Sequence, residues 1–438
     1  MKSEIEHTST MLGSQNMKSS QRMVSVVEPY ELPEGWKWCR LGELAKFERG
    51  ITFPASAKEK EKNENNIPCL RTANVQENIE LEDLIYVNKS FMKNNIKKLI
   101  QNNDIVFSSA NSRELVGKSA FISNVSFPMT FGGFILCIRA TNSNSKFLFY
   151  FLRLHFLLGR FIGKSTQTTN IANINTETLS NIIIPLPPTL AEQQRIVNRI
   201  ESMFAKLDEA KERAQNVVDG FETRKAAILH KAFTGELTAN WRRENGGCDD
   251  SWEEKRFDEV ADIKSNLVDV AEFQDFPHIA PDNIEKKTGV LLEYHTVAED
   301  KVKSGKHRFY AGQILYSKIR PYLSKVVVVD FDGVCSADMY PIEAKGNTRF
   351  LWYQMLSNEF LDKASNSGSR SVLPKINQKE LSVIPMQICS LPEQVEIVRI
   401  LDIIMEKENK AKQAAEAVLE QIDLLKKSIL ARAFRGEL

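Results

Sequence analysis

Two stretches of this chain repeat apolar residues at alternating steps of four and three. Such steps keep the apolar side chains on one face of a helix, which is the heptad pattern of a coiled coil. Each stretch therefore predicts a helix of roughly 40 residues and about 60 Å. One charged residue interrupts each apolar seam, Arg224 in the first and Glu408 in the second. The first seam contains Ile196, Ile200, Met203, Leu207, Ala210, Ala214, Val217, Phe221 and Ile228, and the second contains Ile397, Leu401, Ile404, Ala411, Ala415, Val418, Ile422, Leu425 and Ile429.

Both predicted helices have boundary signals in the sequence. Proline-containing segments precede them, and Gly235 and Gly436 stand where a helix is expected to stop. Neither helix can bury its apolar seam alone. The simplest prediction pairs the two helices as an antiparallel coiled coil with one globular domain at each end. The alternative is a homodimer formed through the same seams.

The two helical stretches are copies of one sequence. Residues 190–237 and 391–438 align without a gap at an offset of 201. Both copies contain Glu-Gln and Ile-Val near the start and close with Ala-Phe-x-Gly-Glu-Leu. Weaker matches continue upstream, including Ile-Asn pairs that begin at Ile174 and Ile376. The chain is therefore predicted to contain two copies of one module, related by an internal pseudo-twofold axis.

The remaining segments carry short β-rich runs, such as residues 104–108 and 313–317, mixed with short helical runs. We assign them to the α+β class. The predicted architecture is two globular mixed α/β domains separated by two long antiparallel coiled-coil helices. Its segments are a flexible N-terminal tail (1–28), a first globular domain (29–189), a central spacer helix (190–237), a second globular domain (238–389) and a distal spacer helix (390–438).

The composition is that of an ordinary globular protein, with 42% hydrophobic residues, 26% charged residues and a net charge of +1. No apolar run has the length of a membrane span, and residues 1–25 lack the apolar core of a signal peptide. Six cysteines are scattered without a close pair, which indicates neither a zinc site nor a disulfide framework. These features predict a cytoplasmic protein with no membrane association.

The small net charge hides an uneven distribution of charge along the chain. Residues 115–176 contain six Lys and Arg residues but no acid, and residues 301–329 contain seven but no acid. Stretches of this kind supply phosphate contacts in nucleic-acid-binding proteins, although either one alone is also typical of an ordinary solvated surface. Two such stretches, one in each copy, favour nucleic acid as a ligand.

Motifs for catalysis are weak in this sequence. Residues 159–165 resemble a phosphate-binding P-loop, but three residues separate the glycines where the loop needs four. Asp282 with Glu299 and Lys301 could be written as a metal-dependent nuclease signature, yet the first copy has no counterpart. No glycine-rich cofactor loop follows a clear strand, and the six histidines show no metal-ligand spacing. The sequence therefore predicts neither a catalytic site nor a metal site.

Sequence-specific DNA recognition requires Arg, Lys, Asn, Gln and Ser side chains on loops that reach base edges. Residues 108–113 and 164–170 provide such loops in the first copy, and residues 316–322 and 365–371 occupy the matching positions in the second. A single loop of this kind is more often an ordinary polar loop, but paired loops on paired domains favour a DNA interface. The candidate DNA-binding residues are Ser108, Asn111, Arg113, Lys118, Lys164, Thr166, Gln167, Asn170, Lys318, Arg320, Tyr322, Arg370 and Ser371.

The helical motifs also carry a family resemblance. A proline-rich turn followed by Glu-Gln and Ile-Val, a closing Ala-Phe-x-Gly-Glu-Leu and the use of this unit twice resemble the specificity subunit of Type I restriction-modification systems. The resemblance spans nearly the whole chain, although the extension formed by residues 1–28 departs from it. It implies two target recognition domains, each of which reads one half of a split DNA site, with the long helices as a spacer.

The same resemblance implies partners and cofactors. The partners are double-stranded DNA, two modification (methyltransferase) subunits and motor-nuclease restriction subunits. No cofactor is implied on this chain, whereas S-adenosylmethionine, ATP and Mg are implied on the partner subunits. The expected role is a non-catalytic subunit that recognises a bipartite asymmetric DNA site and directs methylation and restriction. Two other hypotheses stay open, a stand-alone metal-dependent nuclease and a coiled-coil scaffold that binds no nucleic acid.

Overall fold

The computed structural model describes residues 30–168, 171–246, 251–366 and 374–438, so the predicted tail (1–28) lies outside the described residues. The described residues form two compact units. The first unit comprises those of Met1–Lys206 together with Leu424–Leu438, and the second comprises those of Leu207–Asp423. Both units are mixed α/β, in agreement with the predicted class.

Short strands form the sheets of the first unit. They are β1 (Lys37–Arg40), β2 (Ala45–Arg49), β3 (Asn66–Leu70), β4 (Ile85–Asn88), β5 (Ile105–Ser108), β6 (Ala110–Asn111), β7 (Ser119–Phe121), β8 (Thr130–Phe131), β9 (Ile135–Ala140), β10 (Thr166–Thr168), β11 (Ile171–Asn173) and β12 (Ile183–Leu186). The main sheet is antiparallel with strand order β2-β9-β5-β7. Further sheets have the orders β4-β3-β8, β10-β11-β6 and β1-β12.

The second unit repeats the four-stranded and the two-stranded sheet of the first, and its further sheet differs. Its strands are β13 (Glu253–Arg256), β14 (Ala261–Ile263), β15 (Leu267–Val268), β16 (Pro277–Ile279), β17 (His295–Thr296), β18 (Lys306–Phe309), β19 (Ile314–Ser317), β20 (Val326–Val328), β21 (Gly333–Cys335), β22 (Met339–Ala344) and β23 (Pro385–Ile388). The main sheet has the order β14-β22-β19-β20, and the others have the orders β15-β18-β21-β16-β17 and β13-β23. The strands β14, β22, β19 and β20 therefore correspond to β2, β9, β5 and β7.

One inner strand of each main sheet is buried on both faces. In β5, Ile105 and Phe107 join one hydrophobic core and Val106 joins another. In β19, Ile314 and Leu315 divide between two cores in the same way. Successive side chains of a strand point to opposite faces, so a continuous apolar run fits a strand that is covered on both sides. This explains why residues 105–107 and 314–316 form continuous apolar runs without alternation.

The two long helices are present, although the first is interrupted at Gly220. The helices are α1 (Leu41–Leu44), α2 (Ser145–Leu157), α3 (Thr176–Ser180), α4 (Leu190–Asp219), α5 (Phe221–Phe233), α6 (Ala239–Glu244), α7 (Phe257–Val260), α8 (Thr348–Met355), α9 (Asn358–Asn366), α10 (Gln378–Ser382) and α11 (Leu391–Ala433). Gly235 and Gly436 follow α5 and α11 with φ values of +80° and +76°, as expected for helix stops. None of the helices in the described ranges is long and apolar enough to cross a membrane.

The buried face of α11 differs from the predicted seam. The heptad pattern places Ala411, Val418 and Leu425 in the seam, but all three are exposed, so this part of the prediction is wrong. A straight helix makes one turn every 3.6 residues, so the residue four positions after Leu401 lies on the same face. That residue is Met405, which packs against the second core. Every predicted seam residue of the first helix is buried or half-buried. The buried apolar residues of α11 include Ile397, Val398, Leu401, Met405, Ala415, Ile422, Leu430 and Ala433.

The two charged residues that interrupt the predicted seams pair with each other inside the second unit. The Nε of Arg224 donates to Oε2 of Glu408 over 2.8 Å. Near this pair, the Lys412 ammonium lies 4.9 Å from the centre of the Phe221 ring. Phe221 lies three residues before Arg224 in α5, whereas Lys412 lies four residues after Glu408 in α11. The two helices are therefore antiparallel within this unit.

The Glu-Gln motif at the start of each long helix has the same structural role in both units. Oε1 of Gln193 accepts a hydrogen bond from the backbone N–H of Asn144 over 2.8 Å, and Oε1 of Gln394 accepts one from Asn347 over 3.1 Å. Asn144 and Asn347 cap the N-termini of α2 and α8, which carry the aromatic runs of the two domains. The repeated glutamine therefore ties each domain to the start of the long helix that follows it.

The closing Ala-Phe-x-Gly-Glu-Leu motif contacts the domain of the other sequence copy. Phe434, at the end of the second copy, packs edge-on against Phe147 and Phe151 of the first domain, with ring centres 5.0 and 5.2 Å apart. Phe233, at the end of the first copy, packs against Phe350 of the second domain at 5.3 Å. Each compact unit therefore contains the start of one long helix and the end of the other.

Candidate nucleic-acid interface

The first predicted loop follows β5 and begins in the protein interior. Ser108 is fully buried, and its Oγ accepts a hydrogen bond from Nδ2 of Asn111 over 3.1 Å. Oδ1 of Asn111 accepts the backbone N–H of Ser112 over 2.8 Å. A fully buried hydroxyl cannot contact DNA, so the position of Ser108 contradicts its predicted role. Its side chain instead orients the half-buried Asn111.

Two cations of this loop differ in their surroundings. Arg113 is exposed in the turn that follows β6, where the carbonyl of Ser112 accepts the backbone N–H groups of Leu115 and Val116. Lys118 is half-buried, and its ammonium donates to Oε1 of Gln76. Arg113 is thus available for a phosphate or base contact, whereas Lys118 already binds a side chain of the protein.

The structure brings the second predicted segment of the first domain next to the first. Lys164 is exposed at the end of a 3-10 turn, and the backbone of Thr166 and Gln167 forms β10. Strand β10 pairs with β11, and β11 pairs with β6, which contains Asn111. Asn170 lies outside the described residues. Residues 108–113 and 164–168 therefore meet in one small sheet, a pairing that could not be read from the sequence.

The second domain presents its loop at the end of β19. Lys318 is half-buried, with its Nζ 2.5 Å from the carbonyl oxygen of Ala337 and 5.4 Å from the centre of the Tyr340 ring. Arg320 is exposed, and 47% of the surface of Tyr322 is exposed. Among the described candidates of this domain, these two side chains are exposed, whereas Lys318 is only partly accessible. Arg370 and Ser371 lie outside the described residues.

The Arg320–Tyr322 loop has an unusual backbone. Arg320 and Ser324 adopt left-handed conformations with φ values of +49° and +46°, on either side of a short 3-10 turn (Pro321–Leu323). Left-handed backbone is costly for residues other than glycine and is held by surrounding contacts. Here the N–H of Arg320 donates to the carbonyl of Pro374 over 2.8 Å. Strain of this kind is common in loops that bind a ligand.

Matching hydrogen bonds show that the two loops are equivalent. The N–H of Ser109 donates to the carbonyl of Phe134 over 2.9 Å, and the N–H of Lys318 donates to that of Asp338 over 3.0 Å. The carbonyls of Ser109 and Lys318 accept the N–H groups of Ile174 and Ile376 over 2.8 and 2.9 Å. The predicted correspondence of residues 316–322 with the first loop is therefore confirmed, while the side chains at matched positions differ.

The sequence of this chain also matches the model of a protein family. The model of the Type I restriction modification DNA specificity domain matches residues 33–218 and again residues 249–421, which together make up most of the chain. The chain belongs to the Type I restriction-modification specificity subunits. The predicted role in DNA sequence recognition is therefore confirmed.

Named specificity subunits show how far the similarity extends. The specificity subunit of the Type I restriction enzyme EcoDI from Escherichia coli is 39% identical over 315 residues, which are 67% of this chain and 70% of the relative. The EcoKI specificity subunit from Escherichia coli strain K12 is 26% identical over 443 residues, covering 93% of this chain and 90% of the relative.

Solved structures share the fold. The HsdS subunit from Thermoanaerobacter tengcongensis matches with a TM-score of 0.61 at 19% identity, over 94% of this chain and 99% of that chain. A chain from a study of complex assembly and conformational transition of the type I R-M system matches with a TM-score of 0.66 at 18% identity, over 94% of this chain and 100% of that chain.

The acid-free stretch of the first domain of this specificity subunit is less available to DNA than its sequence indicates. Acids from other parts of the same unit neutralise three of its six cations. Arg160 and Lys164 remain exposed on the surface. The basic stretch therefore contributes partly to folding, and we expect phosphate contacts only from its exposed members. The internal ion pairs are Arg139 with Asp104, Lys146 with Glu201, and Arg153 with Glu77.

The residues of the nuclease-like pattern make local contacts. The carboxylate of Glu299 accepts the backbone N–H and the hydroxyl of Thr296 over 2.8 and 3.0 Å, which lowers the pKa of Glu299. Asp282 is fully exposed with an oxygen 3.5 Å from Nζ of Lys325. Within the described ranges there is no group of three or more His, Cys, Asp and Glu residues that could hold a metal ion.

Proposed function

We propose that this specificity subunit reads the two halves of a bipartite, asymmetric DNA site, one half with each domain. The main support is the pair of equivalent loops that follow β5 and β19. The same backbone hydrogen bonds hold both loops, but they carry different side chains, with Asn111 and Arg113 in one and Arg320 and Tyr322 in the other. Base recognition depends on side-chain donors and acceptors, so different side chains on a common frame would select different bases.

The two long helices would act as the spacer between the readers. We propose that they form an antiparallel coiled coil along their length. The Arg224–Glu408 pair supports this pairing, because a polar pair in an apolar seam favours one register over others. The packing of Phe434 on the first domain and of Phe233 on the second also supports it. A rigid spacer would hold the two half-sites at a fixed separation, as dimeric DNA-binding proteins do.

The chain would act without catalysis of its own. In this proposal, two modification subunits bind the pseudo-twofold repeat, since a repeated surface can recruit two copies of one partner. These subunits would bind S-adenosylmethionine, and motor-nuclease subunits would use ATP and Mg. The assembly would operate in the cytoplasm. The names of the relatives, which are specificity subunits of Type I restriction enzymes, support a role within a larger enzyme.

Methylation sequencing tests this function. The genome of cells that express the chain with its modification subunit is compared with that of cells that lack only this chain. We expect a split motif, with two short defined halves and a fixed gap, to lose methylation when the chain is absent. Unchanged methylation would reject the proposal. If the chain fails to bind duplex DNA at both low and high salt, the scaffold hypothesis is supported instead.

A further inference from the structure

A cavity of about 470 Å³ opens on the first domain beside the loop that follows β5. Its size is within the usual range for ligand pockets. The buried residues Ile51, Ile85 and Ile135 form its apolar part. Its other lining residues are Arg49, Thr52, Phe53, Ala55, Lys58, Arg71, Thr72, Gly132, Gly133 and Phe134.

The charge of this cavity is entirely positive. Arg49, Lys58 and Arg71 line it, and the described lining residues include no Asp or Glu. Arg49 and Lys58 are exposed. Arg71 is half-buried, and its Nη2 donates to the carbonyl of Asp83 over 2.7 Å and lies 3.4 Å from Oδ2 of the same residue. The side chains that an anionic ligand with oxygen acceptors can reach are therefore those of Arg49 and Lys58, together with the exposed part of the Arg71 guanidinium.

Phe134 connects this cavity to the predicted DNA-reading loop. The residue is 59% exposed, which is unusual for a large apolar side chain. Its carbonyl oxygen accepts the backbone N–H groups of Ser109 and Ala110 and the hydroxyl of Ser109. An exposed ring beside cations is typical of nucleic-acid sites, where bases stack on aromatic faces. Phe134 therefore lines the cavity and also accepts the backbone hydrogen bonds that hold the reading loop.

The second domain lacks two of these groups, Arg71 and Phe134, at the matching positions. The N–H of Gly132 donates to the carbonyl of Leu70 in the first domain, and the N–H of Ser336 donates to that of Ile279 in the second. Leu70 of the first domain therefore corresponds to Ile279 of the second. The next residue in each domain is Arg71 and Ala280, so these two positions also correspond. The matched bonds of Ser109 and Lys318 likewise pair Phe134 with Asp338. Two residues that line the cationic cavity are therefore not repeated in the second domain.

We propose that this cavity binds a backbone phosphate of the target DNA next to the half-site of the first domain, with Phe134 against the adjoining sugar or base. The proposal rests on the proposed DNA-reading function. Arg49, Lys58 and Arg71 supply the charge, and the ring supplies a stacking surface. The contact adds affinity to the first half-site and has no counterpart in the second, so the two half-sites contribute unequally to binding.

This proposal is tested by combining substitutions in the protein with the replacement of single phosphates in the DNA. The probe is a duplex with the methylated site identified by sequencing, in which single phosphates are replaced by neutral methylphosphonates. The full chain, assembled with its modification subunits, is compared with its Lys58→Gln and Arg49→Gln variants. We expect one methylphosphonate beside the first half-site to weaken binding of the parent about tenfold, and to have little effect on either variant.

Salt dependence provides a second readout. Removal of one phosphate contact lowers the salt slope by about 0.9, so between 50 and 200 mM salt a variant loses about three- to fourfold less affinity than the parent. Phe134→Leu should weaken binding without changing this slope. Lys37→Gln, which changes an exposed residue of β1, is the charge control and should keep the parental slope.

The outcomes separate the two proposals. If the effect of each methylphosphonate simply adds to the effect of each protein variant, and the variants keep the parental salt slope, the cavity is not a phosphate site. The DNA-reading function would still stand. Loss of any split motif from the methylation data would reject the proposed function itself. Equal changes in Lys37→Gln and Lys58→Gln would show a general charge effect and would also overturn the cavity proposal.

Discussion

The same glutamate opens both long helices, yet its two copies lie in opposite environments. The side chain of Glu192 is 32% exposed and pairs with Arg195 of its own helix at 2.8 Å. The side chain of Glu393 is 1% exposed. Its Oε1 lies 3.0 Å from Nε of Arg242 and accepts the indole N–H of Trp252 over 3.2 Å. A residue that is matched in the sequence repeat is therefore a surface residue in one unit and a buried ion-pair partner in the other.

The neighbouring glutamine shows the opposite behaviour. Gln193 and Gln394 both accept the backbone N–H of a helix-capping asparagine. The glutamines contact the domain that precedes each long helix, which is matched in the two copies. Glu393 contacts Arg242 of α6, which follows the closing Gly235 of the first copy. The repeat thus reproduces contacts within the repeated unit, whereas contacts with unrepeated segments differ.

Removal of the buried glutamate should have the largest effect. Glu393→Ala leaves the charge of Arg242 buried without its partner, which costs about 3–5 kcal/mol. Glu192→Ala breaks only an exposed pair and should cost less than about 1 kcal/mol. Hydrogen exchange of α6 and of the start of α11 measures the first change, and exchange of the start of α4 measures the second. Equal effects of the two substitutions would contradict the difference between the units.

A buried histidine distinguishes the matched helices α2 and α8 in acid. His155 is 6% exposed in α2, while its counterpart helix α8 contains no histidine. Burial, followed by the positive charge of Arg160, lowers the pKa of His155 from 6.5 to about 4. The unfolded chain therefore binds this proton at a higher pH than the folded one. The first unit should lose about 3 kcal/mol of stability as the pH falls from 6.5 to 4.

The variant His155→Gln checks this pH dependence. Glutamine is neutral and can donate to the carbonyl of Phe151, which lies 3.2 Å from Nδ1 of His155. Hydrogen exchange of α2 should therefore depend less on pH in the variant than in the parent. Identical pH profiles would show that His155 does not cause the loss of stability.

The Arg224–Glu408 pair should have a smaller effect, because both side chains are partly exposed. Arg224→Ala or Glu408→Ala should destabilise the pairing of α5 with α11 by about 2 kcal/mol. The exchanged double variant Arg224→Glu with Glu408→Arg should recover part of this loss. Thermal unfolding of the parent, the two single exchanges Arg224→Glu and Glu408→Arg, and the double exchange measures the coupling. A double variant that is less stable than both single exchanges would argue against a direct pair.

The repeat and the long helices could be predicted because they depend on residues close in sequence. The pairing of Arg224 with Glu408 could also have been predicted, since one charged residue interrupts each seam. The buried face of α11 could not, because Met405 instead of Ile404 packs against a core formed by distant segments. The burial of Ser108 and the internal ion pair of Arg139 with Asp104 likewise depend on segments that are distant in the sequence.

The cavity residues illustrate a further limit of the sequence. Arg49, Lys58, Arg71 and Phe134 are separated along the chain and meet only when β2, β3 and β9 assemble into sheets. The pair Gly132-Gly133 before an exposed aromatic residue was the available signal. It indicates close approach of the backbone but not which side chains surround it.

The most direct test of two independent readers is methylation sequencing of matched loop variants. Arg113→Ala changes the loop after β6, and Arg320→Asn changes the loop after β19 with a residue that tolerates the left-handed backbone. Each variant is expressed with the modification subunit, and the methylated motif is determined. We expect each variant to relax or lose one half of the motif only, and the two variants to affect different halves. Changes in the same half, or in both halves with either variant, would contradict the account.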